Sequence, residues 1–309
     1  MPPFFRTLVL SALLPAAALP SLAAAASIVA VQSGDWSDPA TWNLGRVPAP
    51  GDQAGIGAGT TVTVTTAVAG GPSLSVASGG TLSVAASGHI TLCSTCQMDN
   101  AGTIVVDGTM QLGGAGPGTF DNRATLNIGA DGTLVIATGA ALAHSYGTIT
   151  NNGRIANDGS LLIDANGLTT LNNNGVLDTR GDIVNEVILQ NAGTINLLGS
   201  STLDNKYRLS STGNARITIA ADAVLRTSEL FTASNATAIV NRGTFLMLGG
   251  GALLNAGTVF DHYGDILGTA SLSVAGTFNK YCGATIAAGA VSGPVTDICA
   301  DTVFVDGFE

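Results

Sequence analysis

The chain has 309 residues, of which 46% are hydrophobic and only 10% charged, with a formal net charge of −10 at pH 7. That apolar content excludes ordinary disorder. The acidic balance, with Lys206 and Lys280 the only two lysines, argues against nucleic acid and anionic membranes as partners. Length alone implies two globular domains, unless the core grows lengthwise by repetition.

Residues 1–26 read as a secretory signal peptide. Arg6 supplies the basic end, Leu8 to Leu19 the apolar stretch, and Ala24-Ala25-Ala26 a small-residue cleavage site. The apolar run contains Pro15 and Pro20 and is short for a membrane anchor, and no later run is long enough to span as a helix. No membrane span is therefore expected once the signal is removed. Export makes the four cysteines readable as disulfides, Cys93 with Cys96 and Cys282 with Cys299, each pairing locally. A redox Cys-x-x-Cys needs a βαβ setting, and a zinc site needs a second, suitably spaced pair; the sequence offers neither. Closing the Cys282–Cys299 loop is expected to stabilise the terminal segment by ~3 kcal/mol.

Residues 27–60 are expected to form an N-terminal cap. A strand-like Ile28-Val29-Ala30-Val31 leads into a segment holding both tryptophans, Trp36 and Trp42, among prolines. Bulky aromatics cover the open end of a repeat stack, and prolines prevent further strand pairing. The pattern Trp36…Thr41-Trp42…Gly45…Val47-Pro48…Gly51-Asp52…Ile56 resembles the start of bacterial surface β-helix proteins and of the G8 domain. The resemblance covers about residues 34–64 and implies a right-handed parallel β-helix, with almost nothing implied about activity. It departs at Ala54, where the pattern usually carries a larger aliphatic residue.

From 61 to 290 the chain rewrites one unit. Asn191-Ala192-Gly193-Thr194-Ile195 returns as Asn100-Ala101-Gly102-Thr103-Ile104 and Asn255-Ala256-Gly257-Thr258-Val259. Looser copies start at Asn151, Asn157, Asn173 and Asn241, and degenerate ones at Asp121-Asn122 and Asp204-Asn205. On this reading Asn tolerates left-handed backbone, and Gly supplies positive φ before a short β run. Runs such as Thr61-Val62-Thr63-Val64 and Leu126-Asn127-Ile128 alternate in period two, so one face is buried and one exposed. A second turn family, Gly80-Thr81-Leu82, Gly108-Thr109-Met110 and Gly132-Thr133-Leu134, interleaves with the first and implies more than one strand per coil.

A sandwich of short hairpins is the competing architecture. Repetition of Asn with the same neighbours favours a coil, because stacked Asn side chains can bond along the axis at ~4.8 Å. The expectation is an all-β, single-stranded right-handed parallel β-helix (β-solenoid) with ~20 residues per coil and on the order of a dozen coils. A disulfide-fastened cap and tail, 291–309, would close it. The ending Asp306-Gly307-Phe308-Glu309 resembles short tails on many secreted proteins of some Gram-negative bacteria.

Chemistry-bearing residues are sparse. The densest cluster, Asp261-His262-Tyr263-Gly264-Asp265, offers Asp261, His262 and Asp265 as catalytic candidates, with Asp261 and Tyr263 expected on one strand face. Arg180-Gly181-Asp182 is a tripeptide read by some animal cell-surface receptors, usable only on a protruding loop. His89 and His144 read as surface residues. Gly113-Gly114-Ala115-Gly116 is a lone approximation to calcium-binding repeats, so neither metal nor cofactor is expected. The functional expectation is an exported, non-enzymatic structural or adhesive protein, secreted or at the bacterial surface. Its weakly charged Thr, Ser and Asn face would meet a surface polysaccharide, or a host or matrix component, through many weak contacts. A polysaccharide lyase or hydrolase is the alternative, by analogy with other β-helices.

Overall fold

The computed structural model describes residues 25–298 apart from 115 and 288. Most of the signal peptide, Cys299 and the tail 302–309 lie outside the described residues. Short strands, most of four residues, build three parallel sheets of 13, 13 and 12 strands, and each coil contributes one strand to each sheet. The first sheet runs from Ser27–Val29 to Thr285–Ala287, the second from Gly34–Asp35 to Ala290–Ser292, and the third from Ala67–Gly71 to Thr296–Asp297. The result is a β-solenoid of about a dozen coils. Its sheets are parallel throughout, which removes the hairpin sandwich. Among the described residues the only helical element is a 3-10 turn at Pro39–Thr41.

Period-two alternation sets the register. In the second-sheet strand Thr125–Ile128, Leu126 and Ile128 are fully buried while Thr125 and Asn127 face out. Partners stack without offset, Thr103 against Thr125 and Thr125 against Thr148, so Leu82, Ile104, Leu126, Ile149 and Leu171 form one buried column. A slip of one residue would turn that column to solvent. Towards the C-terminal coils the interior widens to aromatics, with Phe231, Phe245, Phe260 and Phe278 in successive ring contacts of 5.0 to 6.2 Å.

Most corners between sheets span two residues or four, and a buried Asn or His at the end of the preceding strand goes with the short kind. Strands ending in buried Asn or His, such as Asn151, Asn173, Asn191 and His262, turn in two residues. Strands ending in Val76, Ile136, Leu197, Ile219 or Leu254 take four. At the short corners the terminal amides stack into ladders. Asn151 Nδ2 donates to Asn173 Oδ1 (2.7 Å), Asn173 to Asn191 (2.8 Å), and Asn191 to Ser211 Oγ (2.9 Å). Equivalent ladders run Asn100–Asn122–His144 and Asn185–Asn205–Thr227 on the first sheet. The amides of Asn100, Asn151, Asn173, Asn185 and Asn205 also reach the carbonyl that opens the following strand in the next coil, as Asn173 Nδ2 does to Thr194 O (3.0 Å). The Oδ1 atoms of Asn151, Asn157 and Asn185 find no protein partner. Each stands over an aliphatic residue, Ile128, Ile136 and Ile163 respectively.

Two expectations about these units need correction. The ladder asparagines are strand residues with buried side chains, and among the described residues Asn235 is the only non-glycine with positive φ. Nor does Gly193 sit at positive φ; a Cβ there would lie 2.6 Å from the carbonyl carbon of Asn174 in the neighbouring coil. Close approach of two chains selects glycine at that corner. The copy at Asn255 is a different object, an exposed four-residue turn whose Gly257 does have φ of 82°.

The segment 27–60 is interwoven with the first coil, since Ser27–Val29 and Gly34–Asp35 already belong to the first two sheets. Trp36 and Trp42 are buried edge to face at 5.0 Å, and Trp42 Nε1 donates to Trp36 O (2.9 Å). Asp52, 5% exposed, receives Arg46 at 2.6 Å and the backbone amides of Ala49 and Ala26. The Arg46 guanidinium, aided by those amides, holds its carboxyl far below the usual carboxylate range. The N-terminal sequence pattern is therefore a set of packing, hydrogen-bond and ion-pair contacts within the first coil. Cys93 and Cys96 form a disulfide across a four-residue corner. Cys282 is also disulfide-bonded, while its expected partner Cys299 lies outside the described residues.

Candidate functional site

Strand Val259–His262 of the third sheet alternates Phe260 and His262 inward with Asp261 outward. The same alternation that builds the core thus separates the candidate residues. His262 is fully buried and stacks on Phe278 at 17°. Its Nε2 lies 2.8 Å from Thr285 O and its Nδ1 3.2 Å from Asn241 Nδ2, so it extends an amide ladder, with Nε2–H donating and Nδ1 accepting. Burial pushes its pKa below the ordinary value. Asp265 belongs to the first sheet, beyond the corner, and accepts from Thr285 Oγ1. Asp261, His262 and Asp265 do not converge on one solvent-accessible point.

The fold gathers another set at that corner. Arg242, Tyr263 and Tyr281 follow third-sheet strands of three successive coils. The Arg242 guanidinium lies 5.1 Å from the Tyr263 ring, which stacks on Tyr281 at 4.0 Å and 14°. Asp261 accepts from Asn279 Nδ2 (2.8 Å). The Tyr281 phenol is pushed up to about 12, first by its hydrogen bond with Tyr263, then by burial and the charge of Asp261. A phenol so raised donates hydrogen bonds at neutral pH and is no base. The sequence already placed Arg242 as about the only basic residue near the Asp261–Asp265 cluster, whereas Tyr281 was missed because it is near in space only through coil stacking; a column of large residues just after third-sheet strands was the available signal.

His144 is corrected from surface to core. It ends first-sheet strand Ala141–His144, fully buried at the position Asn122 holds one coil earlier. Its Nδ1 lies 3.0 Å from Asn122 Nδ2 and its Nε2 3.2 Å from Thr170 O. Desolvation lowers its pKa. His89 is half-buried and contacts Thr91 Oγ1 at 2.8 Å. Arg180-Gly181-Asp182 crowns no loop. It lies in a recess of about 410 Å³ bordered by Gly139 and Ser200, where Arg180 pairs with Asp158 at 3.4 Å. Gly114 and Gly116 line a neighbouring recess of about 850 Å³.

The three outer faces differ in charge. On the second sheet Thr81, Thr103, Thr125, Thr148 and Thr170 stand in one outward column, and Ser83, Val105, Asn127, Thr150 and Asn172 in its neighbour. From Thr61 to Gln190 no outward position of that sheet's strands is ionisable. Charges lie elsewhere, as in Arg154–Asp178 on the third sheet (2.9 Å) and Asp204–Arg226 on the first (3.6 Å). Among the described residues no three His, Cys, Asp or Glu side chains gather as a metal site, and no helix is long and apolar enough to cross a membrane.

No protein-family profile matches the chain, and no curated protein is similar to it. One solved structure, a TibC-catalysed hyper-glycosylated fragment of TibA spanning its residues 55–350, aligns over 88% of this chain and 94% of its own. The identity is 13% and the TM-score 0.29, a likeness too loose to carry an argument about function.

Proposed function

We propose that the protein is an exported, non-catalytic β-solenoid, secreted or held at the bacterial surface, that adheres through its outer faces. The observation that carries this reading is the neutral second-sheet face, where threonine hydroxyls repeat once per coil in a straight column from Thr81 to Thr170, beside a column of hydroxyl and amide groups interrupted at Val105. Individually weak hydrogen bonds add up along such an array once one contact holds the next at high effective concentration. The signal sequence at 1–26 supports export. The enzymatic alternative would rest on the corner formed by Arg242, Asp261, Tyr263 and Tyr281. The test is to incubate purified protein with bacterial surfaces and a polysaccharide panel, measuring retention and released sugar fragments together. Retention without release is expected. Release that disappears in Asp261→Ala with Asp265→Ala would replace adhesion by catalysis.

A further inference from the structure

At the corner between the first and second sheets, four successive coils present Tyr146, Leu168, Val187 and Tyr207. Tyr146 and Tyr207 are each 54% exposed and Leu168 is 84% exposed. Exposed apolar side chains at three of four successive corners, with half-buried Val187 between them, beside a face of Thr, Ser and Asn, mark an interaction site. The ridge is a built one. Gly167 leaves room for the Tyr146 ring, which a Cβ would overlap, and Gly147 N–H donates to Leu168 O (3.2 Å). Asp164 ties the intervening loop through the Asn166 amide (3.1 Å) and through its own carbonyl to Thr169 Oγ1 (2.8 Å).

Two features define the occupant. The charges beside the ridge are few and of mixed sign: Glu186 and Lys206 pair with each other at 3.0 Å, Asp164 is engaged within its own loop, and among the described residues Arg208 stands alone beyond Tyr207, so no cluster of one sign awaits an ionic ligand. Every group also repeats along the axis at the coil spacing of about 4.8 Å, which places the two tyrosines about 14 Å apart. An extended β-linked glycan advances by nearly the same step per sugar, so one chain laid along the axis meets an equivalent group at each coil. Its apolar ring faces would rest on Tyr146 and Tyr207, and its hydroxyls would meet Thr148, Thr170 and Asn172 on the adjoining face. We infer that the Tyr146–Tyr207 ridge, with the neutral face beside it, binds an uncharged, extended β-linked polysaccharide parallel to the solenoid axis. This rests on the adhesive reading and names its ligand class.

The experiment is co-sedimentation of the mature protein with insoluble cellulose in low and high salt. Polygalacturonate, phosphatidylcholine vesicles and protein alone serve as comparison arms. Wild type is expected to bind cellulose independently of salt, and Tyr146→Ala with Tyr207→Ala to bind roughly tenfold more weakly or worse. Tyr263→Ala, at a different corner, should bind as wild type, and circular dichroism should show both variants folded. Failure of wild type to bind cellulose, unchanged binding by the double variant, or a preference for polygalacturonate or vesicles would overturn the inference. So would a self-associated state that the double variant dissolves. If the protein still attaches to cell surfaces without binding cellulose, adhesion stands and this ligand falls; if it attaches to nothing, both fall.

Discussion

The coils around 56–92 and those around 151–211 share one cross-section but solve their corners differently. In the earlier coils most strands end in aliphatic residues, and those ending in Ile56, Val76, Val84 and Leu92, unlike the one ending in Val64, lead into four-residue corners; the one between Val76 and Thr81 closes its own hydrogen bond, Gly80 N–H to Ala77 O (2.8 Å). In the later coils the strands end in Asn151, Asn173 and Asn191, and the two-residue corner leans on its neighbour. Asn174 and Gly175 both donate to Asn151 O in the preceding coil, at 2.8 and 2.9 Å. A long corner closes one hydrogen bond of its own besides the one it takes from the preceding coil, Ala77 N–H to Ile56 O (2.9 Å), whereas both amides of a short corner depend on that coil. Damage to a short corner should therefore spread along the axis, and damage to a long one should stay local.

The strongest way to break this comparison is Asn173→Ala. It removes the acceptor for Asn151 Nδ2 and the donor to Asn191 Oδ1 and Thr194 O, leaving buried polar groups unmet at about 3–4 kcal/mol in total. Val84→Ala, at a long corner, opens only an apolar gap and should cost less. Denaturant midpoints decide it, and equal losses would erase the distinction. Next, Gly193→Ala should cost about 2–3 kcal/mol, because the new methyl would meet neighbouring backbone. Gly199→Ala meets nothing within 4 Å and suffers only from its φ of 57°, at about 1 kcal/mol. A reversed order would refute close approach as the reason for glycine at short corners.

A smaller effect is expected from acidification. Folded His144 resists the proton that the unfolded chain accepts from about pH 6.5. Its stabilising share is thus complete above that pH and drains away as pH falls through the lowered folded value. His144→Asn restores the usual ladder residue and should flatten stability between pH 7 and 5 relative to wild type; an unchanged slope would contradict a buried neutral imidazole. Smallest of all, reduction of Cys93–Cys96 opens a loop of sequence separation 3 and should lower stability by at most about 2 kcal/mol. A larger fall in thermal midpoint would give that corner a role beyond local bracing.

Much of the architecture could be read from the sequence, because two signals are local. Thr125-Leu126-Asn127-Ile128 states which face is buried, and recurrence of Asn before a glycine states that coils repeat. What could not be read is which residue of the unit does what. Asn191 and Asn255 stand in near-identical words, yet one ends a strand inside the core and the other opens an exposed turn. The difference lies in whether the residue two before Gly falls on an inward position, and that depends on register inherited from the previous coil. The same inherited parity hid His144 and His262 in the core and set Asp261 and Asp265 on different sheets. The contacts of Arg242 with Tyr263 and of Tyr146 with Gly167 arise only from stacking, which no single repeat displays.

Adhesion by the neutral face is most directly tested by putting charge on it. Thr125→Lys with Thr148→Lys places two cations on the second sheet, and Thr133→Lys with Thr194→Lys places two on the third, with outward side chains in both cases. Retention on intact bacterial surfaces is measured for both pairs, with unfolding midpoints confirming that each remains folded. The second-sheet pair should lose retention while the third-sheet pair keeps it. Equal retention by the two pairs, at whatever level, would contradict a function carried by the neutral face.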